Sequence, residues 1–448
     1  MVSPKFLLQC IIDASDCIEK KDLRFIISGG KNIEKYENCI AILLNHYLYK
    51  QKTIKEHILD LKISEDFYKT KILNESLNSL KNEGNKTSKL FNSKIKEYED
   101  KNISGDEKEW YFVFPMNFNL KCRGKVLQEF EIYNKKLKLI NYYDFKKSEF
   151  WTENIKLKLK TQFYDSNNLS KYSWLIINEV GKEPMFAFEQ SIKILNKFLG
   201  AINLSFWLNR DKGIVYSPYP EAKGYTNIVS PSYVLRYNDD KKYENSHPIE
   251  KGQIVYKFEE FRDDIFDTYG ELVKTFEDLN NLDKEGEAYS TIFEALDIYH
   301  YALNEFSYDC GFLDLWTGIE KMTFKKRKGR KDLPYEGIVD RIIGIIINPS
   351  EIVKMRITEM KDKRHRIAHG GNYNRISLSD FNFIRHIYEM VLFFLISYNN
   401  KFKKIDEIEM FYDLAGKSNN QLQDEIKIRT YVIQEKDKYL QLISIASI

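Results

Sequence analysis

The strongest constraint on the fold is the helical spacing of apolar residues in the second half of the chain. Ile292, Leu296, Tyr299 and Leu303 follow one another at steps of four, three and four residues. This spacing puts them on one face of an amphipathic helix, which must be buried against other elements. The pattern therefore predicts a helical, multi-element core rather than an isolated helix.

The same periodicity continues to about residue 400. It predicts further helices over residues 312–324, 335–347, 350–368 and 379–398. Ser350 and Ser379 are predicted N-caps, because their hydroxyls can accept a hydrogen bond from a free backbone N–H. The Gly370-Gly371 pair is expected to end the helix that begins at about residue 350.

The first half of the chain has a different pattern. Residues 1–104 are polar and helical in composition. Short aromatic or β-branched runs and period-two alternation then predict strands at 110–114, 137–140, 155–160 and 174–177, with a helix at 186–208. Residues 216–247 contain or adjoin several prolines and are predicted to be a loop-rich boundary.

These patterns predict an α+β protein of several domains. The 448 residues, 43% of them apolar, suffice for more than one core. We expect a helical N-terminal segment (1–104), a β-rich sensor or regulatory domain (105–250), an all-α C-terminal bundle (251–400, core 285–400) and a C-terminal extension (401–448).

The cysteine content and the apolar runs bear on the compartment in which the protein is expected. The five cysteines are scattered and form no C-x-x-C pair, which is unlike a disulfide scaffold or a zinc ribbon. The first residues do not resemble a signal peptide, and no apolar run approaches the ~20 residues needed to span a bilayer. We therefore expect a cytoplasmic protein with no membrane partner. Because the formal net charge is only +3, any nucleic-acid surface must be a local patch.

The densest group of reactive side chains ends a predicted helix: Arg364, His365 and His369. A guanidinium holds phosphate oxygens with permanently charged donors, and an imidazole exchanges protons near neutral pH. This combination suits phosphodiester cleavage by the RNA 2′-hydroxyl, which requires no cofactor. Positions 364 and 369 lie about 140° apart on an ideal helix. One helix thus supplies a base and a phosphate clamp, and a second copy would supply the acid.

A basic run adds to this interpretation. Residues 321–366 contain fourteen Lys and Arg against six Asp and Glu, an excess larger than that of the whole chain. Such a patch suits RNA, whose backbone is bound electrostatically. The predicted RNA-binding residues are Lys325, Lys326, Arg327, Lys328, Arg330, Lys331 and Arg366.

Two segments resemble a known family. Phe312-Leu-Asp-Leu-Trp316-Thr-Gly-Ile-Glu320 resembles the F-x-x-L-W-x-x-x-E helix of the ApeA-like branch of HEPN ribonucleases. Arg364-His-Arg-Ile-Ala-His369-Gly resembles the R-N-x-I-x-H-G signature of the same branch. The resemblance covers about 285–400. Related toxins that a nucleotidyltransferase antitoxin silences have a Tyr two residues after the His, where this chain has Gly371.

The resemblance implies a helical bundle that dimerises around a composite, metal-independent RNA-cleaving site in antiviral or abortive-infection systems. It makes Arg364 and His369 the catalytic pair and gives His365 the polar position after the arginine. The implied partners are RNA, with tRNA among the candidates, a second copy of the chain, and a phage-derived trigger. Glu320 would orient Arg364 or neutralise it in the free enzyme.

Other interpretations remain open on the sequence alone. Arg364 and His369 can be a surface arginine and a helix-capping histidine, and Glu320 an ordinary surface residue. His365 and His369, four residues apart, are spaced like a metal pair but lack an evident third ligand. The basic run can be a solvated loop. Trp316 is expected in the core rather than as a platform on which bases stack, while His300 and His386 are expected to serve packing or the surface. The alternative to an enzyme is a binding module: a degenerate, non-catalytic HEPN dimer that binds RNA or a phage protein.

Overall fold

The structure is a computed structural model of the chain. It describes residues 3–21, 24–27, 30–46, 48–49, 52–81, 83, 86–103, 105–121, 128–162, 166–210, 228–249, 259–262, 268–305, 307–325, 332–346, 351–370, 376–415 and 417–446. At some of these positions, including 369, 370 and 437–446, the description covers the backbone alone. Ser350, the predicted N-cap, lies outside the described residues.

The described residues form an α+β protein with helices along most of the chain. The helices are α1 (Pro4–Cys17), α2 (Gly30–His46), α3 (Ile54–Leu61), α4 (Glu65–Tyr68), α5 (Asn74–Lys81), α6 (Ser88–Asn102), α7 (Tyr142–Lys147), α8 (Glu153–Gln162), α9 (Pro184–Arg210), α10 (Thr268–Asn280), α11 (Tyr289–Asn304), α12 (Tyr308–Met322), α13 (Tyr335–Ile345), α14 (Glu351–Gly370), α15 (Leu378–Tyr398), α16 (Ile405–Ala415) and α17 (Asn419–Ala446). A π-helical turn covers Lys69–Leu73 and a 3₁₀ helix covers Ser166–Lys171.

The strands are short and lie mostly in the first half of the chain. They are β1 (Ile18–Lys21), β2 (Arg24–Ile27), β3 (Leu48–Tyr49), β4 (Lys52–Thr53), β5 (Lys108–Met116), β6 (Phe118–Lys121), β7 (Glu129–Ile132), β8 (Lys135–Asn141), β9 (Ser173–Gly181), β10 (Tyr233–Tyr237), β11 (Tyr243–Pro248) and β12 (Glu259–Arg262).

The chain divides into two compact units, each assembled from three segments. The first unit comprises Met1–Pro115, Leu137–Leu195 and Pro231–Glu250. The second comprises Met116–Lys136, Asn196–Ser230 and Lys251–Ile448. The C-terminal helices that carry the predicted site all belong to the second unit.

The N-terminal part of the first unit is helical, with two small antiparallel hairpins, β1–β2 and β3–β4. Helices α1, α2, α5 and α6 surround a common apolar core that includes Ile11, Leu43 and Phe91. Thr53 begins α3 with a reciprocal cap: its hydroxyl accepts the N–H of Glu56, whose carboxylate accepts the N–H of Thr53. The helical prediction for this segment is thus largely confirmed, and the hairpins are additions to it.

The first unit also contains the strand order β11-β10-β5-β9-β8. β10 pairs antiparallel with β5, with Leu235 opposite Val113, and β8 pairs antiparallel with β9, with Leu139 opposite Leu175. β5 carries a nearly continuous apolar run that is buried from Phe112 to Met116, as expected for a strand without a solvent-facing side. The strands predicted at 110–114, 137–140 and 174–177 are confirmed.

The strand predicted at 155–160 is wrong, because these residues belong to α8. Ile155 and Leu159 are buried while Leu157 between them is 66% exposed. Two buried residues four positions apart fit a helix face as well as they fit every second position of a strand. The Thr152 hydroxyl accepts the N–H of Ile155 at the helix start, and Leu and Lys favour helix. These local preferences decide between the two patterns.

The loop-rich segment predicted at 216–247 is also partly wrong. Residues 216–227 lie outside the described part, but β10 and β11 form an antiparallel hairpin within the remainder. Pro231 and Pro248 stand before and at the end of this hairpin, where a missing backbone N–H is tolerated. The prolines therefore bound strands instead of excluding them.

The second unit is dominated by a helical bundle, with a small parallel pair formed by β6 and β12. α12 packs against α11 and α15, α13 packs against α16, and α14 contacts α12, α13 and α15. The helices predicted over 312–324, 335–347, 350–368 and 379–398 are confirmed as α12 to α15. Trp316 is fully buried, which confirms its predicted place in the core.

Two glycines allow α12 to lie close to its neighbours. A Cβ on Gly311 would come within 2.7 Å of the carbonyl oxygen of Ala302 in α11. A Cβ on Gly318 would come within 2.3 Å of the ring of Tyr388 in α15. Both distances are below any normal contact. The absence of a side chain at these two positions therefore allows the short distances from α12 to α11 and α15.

The N-cap of α15 differs from the prediction. Ser377, rather than Ser379, accepts the N–H of Asp380, and the Asp380 carboxylate accepts the N–H of Ser377 in return. A serine three residues before an acidic residue forms such a reciprocal cap, whereas Ser379, adjacent to Asp380, cannot. The helix consequently begins at Leu378.

The last helix of the chain, α17, exposes apolar side chains. Five apolar residues of α17 are between 46% and 64% exposed: Ile426, Ile428, Tyr431, Val432 and Ile433. Within the described ranges, no helix is both long and apolar enough to cross a membrane.

Candidate functional site

The candidate site lies where the C-terminal end of α12 meets the C-terminal half of α14. On α14, the buried residues Ile357 and Met360 are followed at helical spacing by Arg364, so the arginine emerges from the face that packs on the bundle. Glu320 occupies the last turn of α12. The Arg364 Nη2 and Glu320 Oε1 atoms are 3.1 Å apart. The two halves of the sequence motif therefore meet in space.

Lys325 is the second cation at this carboxylate. The chain leaves α12 through Phe324, which adopts a positive φ of 54°. The Lys325 N–H then donates to the Glu320 carbonyl, and its Nζ lies 3.1 Å from Glu320 Oε2. The Lys325 carbonyl accepts the N–H of Leu333 at 2.8 Å, which brings the two sides of the basic run together.

Tyr335, the first residue of α13, lies against both cations. The Lys325 Nζ is 3.5 Å from the centre of the Tyr335 ring, and the Arg364 Cζ is 4.9 Å from it. Both distances are within the range of a cation–π interaction. The tyrosine ring is thus a contact that Lys325 and Arg364 share in addition to Glu320.

The cluster is largely withdrawn from solvent. The side chains of Arg364, Glu320 and Lys325 are only 17%, 13% and 10% exposed. Ion pairs in such a setting are much less screened than those on the open surface. Lys325 was predicted to bind RNA, with a solvated loop as the other interpretation of the basic run, and its low exposure beside Glu320 does not fit a solvated loop.

The other predicted residues are distributed differently. His365 and Arg366 are exposed, and the Arg366 Nε–H donates to the Asp362 carbonyl of its own helix at 3.3 Å. α14 continues through position 369 to Gly370, so the angle of about 140° between positions 364 and 369 applies within one protomer. The His369 side chain and Lys326, Arg327, Lys328, Arg330, Lys331 and Gly371 lie outside the described residues.

The remaining cations of α14 have acidic partners. Arg356 and Lys363 both contact Asp380, at 2.8 and 2.9 Å. Burial raises the pKa of Asp380, but hydrogen bonds from Lys363 and Ser377 outweigh this and hold that pKa below its ordinary 3.8. The hydrogen bond to Glu336 raises the pKa of Lys361. The charge count from the sequence overstated the free positive charge, because Glu320 and Asp380 lie outside the counted window.

Chemically, the site offers two cations, one carboxylate and an aromatic ring. Arginine and lysine side chains are donors of the kind that contact phosphate oxygens, and here the Glu320 carboxylate occupies both of them. Within the described ranges, no three His, Cys, Asp or Glu side chains are grouped in a way that would hold a metal ion.

Sequence reasoning missed Tyr335 and the distinct place of Lys325. The signal for Lys325 was its position directly after the predicted end of the Glu320 helix, where the chain turns back toward the carboxylate. Tyr335 follows Pro334 at the start of a helix, which gives no indication of a cation partner.

Comparison with known proteins adds no relative. No protein-family model matches the chain, and neither a curated protein nor a solved structure is significantly similar to it.

Proposed function

We propose that the chain is a metal-independent endoribonuclease that cleaves RNA through 2′-hydroxyl attack, with its site on α12 and α14. One observation carries the proposal: Glu320 and Arg364, which belong to the two separate HEPN-like segments, are in contact at 3.1 Å. If the two segments resembled the HEPN motifs only by chance, there would be no reason for Glu320 and Arg364 to be in contact. The helical surroundings of α11 to α15 are also those that the resemblance implies.

The proposed chemistry requires few groups. Arg364 holds a phosphate oxygen and stabilises the negative charge that develops during the reaction. His369 accepts the proton of the 2′-hydroxyl, whose oxygen attacks the adjacent phosphorus, and an imidazolium protonates the departing 5′-oxygen. The products are a 2′,3′-cyclic phosphate and a 5′-hydroxyl. Each proton transfer is worth about 10²- to 10⁴-fold in rate.

The proposal includes a dimer. Since α14 remains helical through position 369, one protomer presents positions 364 and 369 on different sides of the helix. A second copy of the chain placed against α14 supplies the second imidazole. As a HEPN-type enzyme, the protein would act in the cytoplasm in antiviral defence, on RNA such as tRNA, after a phage-derived trigger.

The test is cleavage of end-labelled RNA in the presence of EDTA. We expect wild-type protein to produce cyclic-phosphate ends, and Arg364→Ala and His369→Ala to reduce the rate at least 100-fold. Lys354→Ala and His386→Ala are matched controls on α14 and α15, because Lys354 contacts only the exposed Glu351 among the described ion pairs and His386 is exposed. Sequencing RNA ends from cells that express wild type or His369→Ala identifies the substrate.

The alternative is a non-catalytic module that binds RNA or a phage protein. The Arg364–Glu320 ion pair favours it in one respect, because an arginine neutralised by a carboxylate can be purely structural. Binding of RNA without any cleavage, in wild type and His369→Ala alike, would support this alternative. Cleavage that requires a divalent cation would instead support the metal pair His365 and His369.

A further inference from the structure

The Glu320 carboxylate bridges two cations, each through a different oxygen. Arg364 Nη2 lies 3.1 Å from Oε1, and Lys325 Nζ lies 3.1 Å from Oε2. We propose that Glu320 occupies the place of an RNA phosphate, and that the phosphodiester of the substrate displaces it to bind between Lys325 and Arg364. This inference rests on the proposed function and deepens it, since it assigns Lys325 to substrate binding and Glu320 to inhibition of the free site.

The geometry of the bridge supports a replaceable anion. The two non-bridging oxygens of a phosphodiester, like the two oxygens of a carboxylate, share one negative charge and can each accept from one cation. Arginine and lysine at a fixed separation therefore bind either group in the same way. The ring of Tyr335, which contacts both cations, holds that separation when the carboxylate leaves.

The Glu320 carboxylate lacks a hydrogen bond from the described residues to one of its two oxygens. Although Arg364 is at ion-pair distance, the Glu320 Oε1 atom accepts no hydrogen bond of acceptable geometry from the described residues. A buried carboxylate oxygen without a directed donor lacks part of the stabilisation that offsets its desolvation. Exchange for a phosphate that aligns with the guanidinium is correspondingly favoured.

The excess of positive over negative charge in the cluster also favours binding of a phosphate. Two cations share one carboxylate in a cluster whose side chains are 10% to 17% exposed. Within the described part of the chain, neither cation has another acidic partner at ion-pair distance. Because Glu320 neutralises only one of the two positive charges, the remaining positive charge attracts the phosphate that then competes with Glu320 for both cations. An RNA strand supplies such anions in a row, whereas Glu320 supplies only one.

Binding can be measured separately from cleavage. The probe is a fluorescent 2′-O-methyl RNA oligonucleotide, which lacks the attacking hydroxyl and stays intact. We expect Glu320→Gln to bind it several-fold more tightly than wild type, because the competing charge is gone while the shape remains. Lys325→Met should bind several-fold more weakly, with the slope of log K against log salt concentration reduced by about 0.7 for one lost phosphate contact.

The exposed ion pair between Lys321 and Glu294 provides matched controls. It joins α12 to α11 at 3.0 Å with side chains 48% and 56% exposed. Lys321→Met and Glu294→Gln change the same charges near the same helix and should leave binding within twofold of wild type. Thermal unfolding verifies that each variant is folded, and Lys325→Arg, which keeps the charge, should retain most of the affinity.

The outcomes separate this inference from the proposed function. Unchanged or weaker binding by folded Glu320→Gln would overturn the displacement of Glu320, even if wild-type protein cleaves RNA through Arg364 and His369. Tighter binding by Glu320→Gln together with weaker binding by Lys325→Met supports the inference, even if no RNA is cut. Equal changes in the Lys321 and Glu294 controls would reduce the effect to general electrostatics and overturn it.

Discussion

Replacing Gly318 by alanine tests whether the close approach of α12 and α15 determines the structure around the site. A Cβ at this position would lie 2.3 Å from Cε2 and 2.6 Å from the hydroxyl oxygen of Tyr388. Tyr388 cannot easily move away, because its hydroxyl donates to the Ala295 carbonyl at 2.6 Å and its buried ring stacks on Tyr299. The added methyl group must therefore shift a helix or strain a fixed ring.

The expected magnitude follows from two opposing effects. Overpacking a dense core by one methyl group costs about 1–3 kcal/mol. Alanine is favoured over glycine within a helix by about 1 kcal/mol. Gly318→Ala should therefore lower the free energy of unfolding by up to about 2 kcal/mol. With Tyr388→Leu in the background the clash is removed, and the same substitution should stabilise the protein by up to about 1 kcal/mol.

Urea denaturation of the four proteins in this cycle measures the coupling between Gly318 and Tyr388. Gly30→Ala is the control, since a Cβ on Gly30 in α2 would have no atom within 4 Å. Its unfolding free energy should change by less than about 1 kcal/mol. If Gly318→Ala has the same cost with and without the Tyr388 ring, the contact does not control the packing and the reasoning is refuted.

Three further predictions concern stability. Burial lowers the pKa of His300 to about 3, so its unfolded imidazole, with an ordinary pKa of 6.5, binds a proton that the folded one excludes. Stability should fall by about 1.4 kcal/mol per pH unit below 6.5 from this group, and pH-dependent urea curves of His300→Gln should lack that loss. Asp380→Asn removes one of the two carboxylates that contact Lys363, which keeps Glu359 at 2.9 Å, and should cost about 1.5–3 kcal/mol at pH 7. Because the pKa of Asp380 is lowered, its contribution is present above pH 3.8 and lost below it, so the wild-type advantage should shrink on acidification. Ile426→Gln and Ile433→Gln should change the unfolding free energy by less than about 0.5 kcal/mol, since both side chains are about 60% exposed; a larger loss in urea would show that they are covered in solution.

The sequence predicted elements well where one pattern was unambiguous. Apolar spacing gave α12 to α15, and uninterrupted aromatic and aliphatic runs gave β5 and β9. The strand prediction for residues 155–160 was wrong because a run with an apolar residue at every second position also contains apolar pairs four residues apart. Ile155 and Leu159 therefore fit the period of a strand and that of a helix. Local capping by Thr152 then decided for the helix.

Predicting the site depended on contacts that a linear pattern does not contain. Arg364 and Glu320 stand out in their sequence motifs, but their ion pair depends on how two helices pack. Lys325 and its neighbours are alike in type, and only the turn at Phe324 directs this lysine to the carboxylate. Asp380 neutralises cations of another helix, which a charge count over a sequence window cannot include.

The hydrogen bond from the Leu333 N–H to the Lys325 carbonyl has a consequence for how the chain can vary. It ties the two flanks of the intervening segment to each other, immediately beside Lys325 on one flank and Tyr335 on the other. Substitutions, deletions or insertions between these flanks can thus alter length and net charge while the anchored ends keep their positions. Under the proposed function, selectivity for different RNAs can evolve in this segment while Lys325 and Tyr335 keep their places.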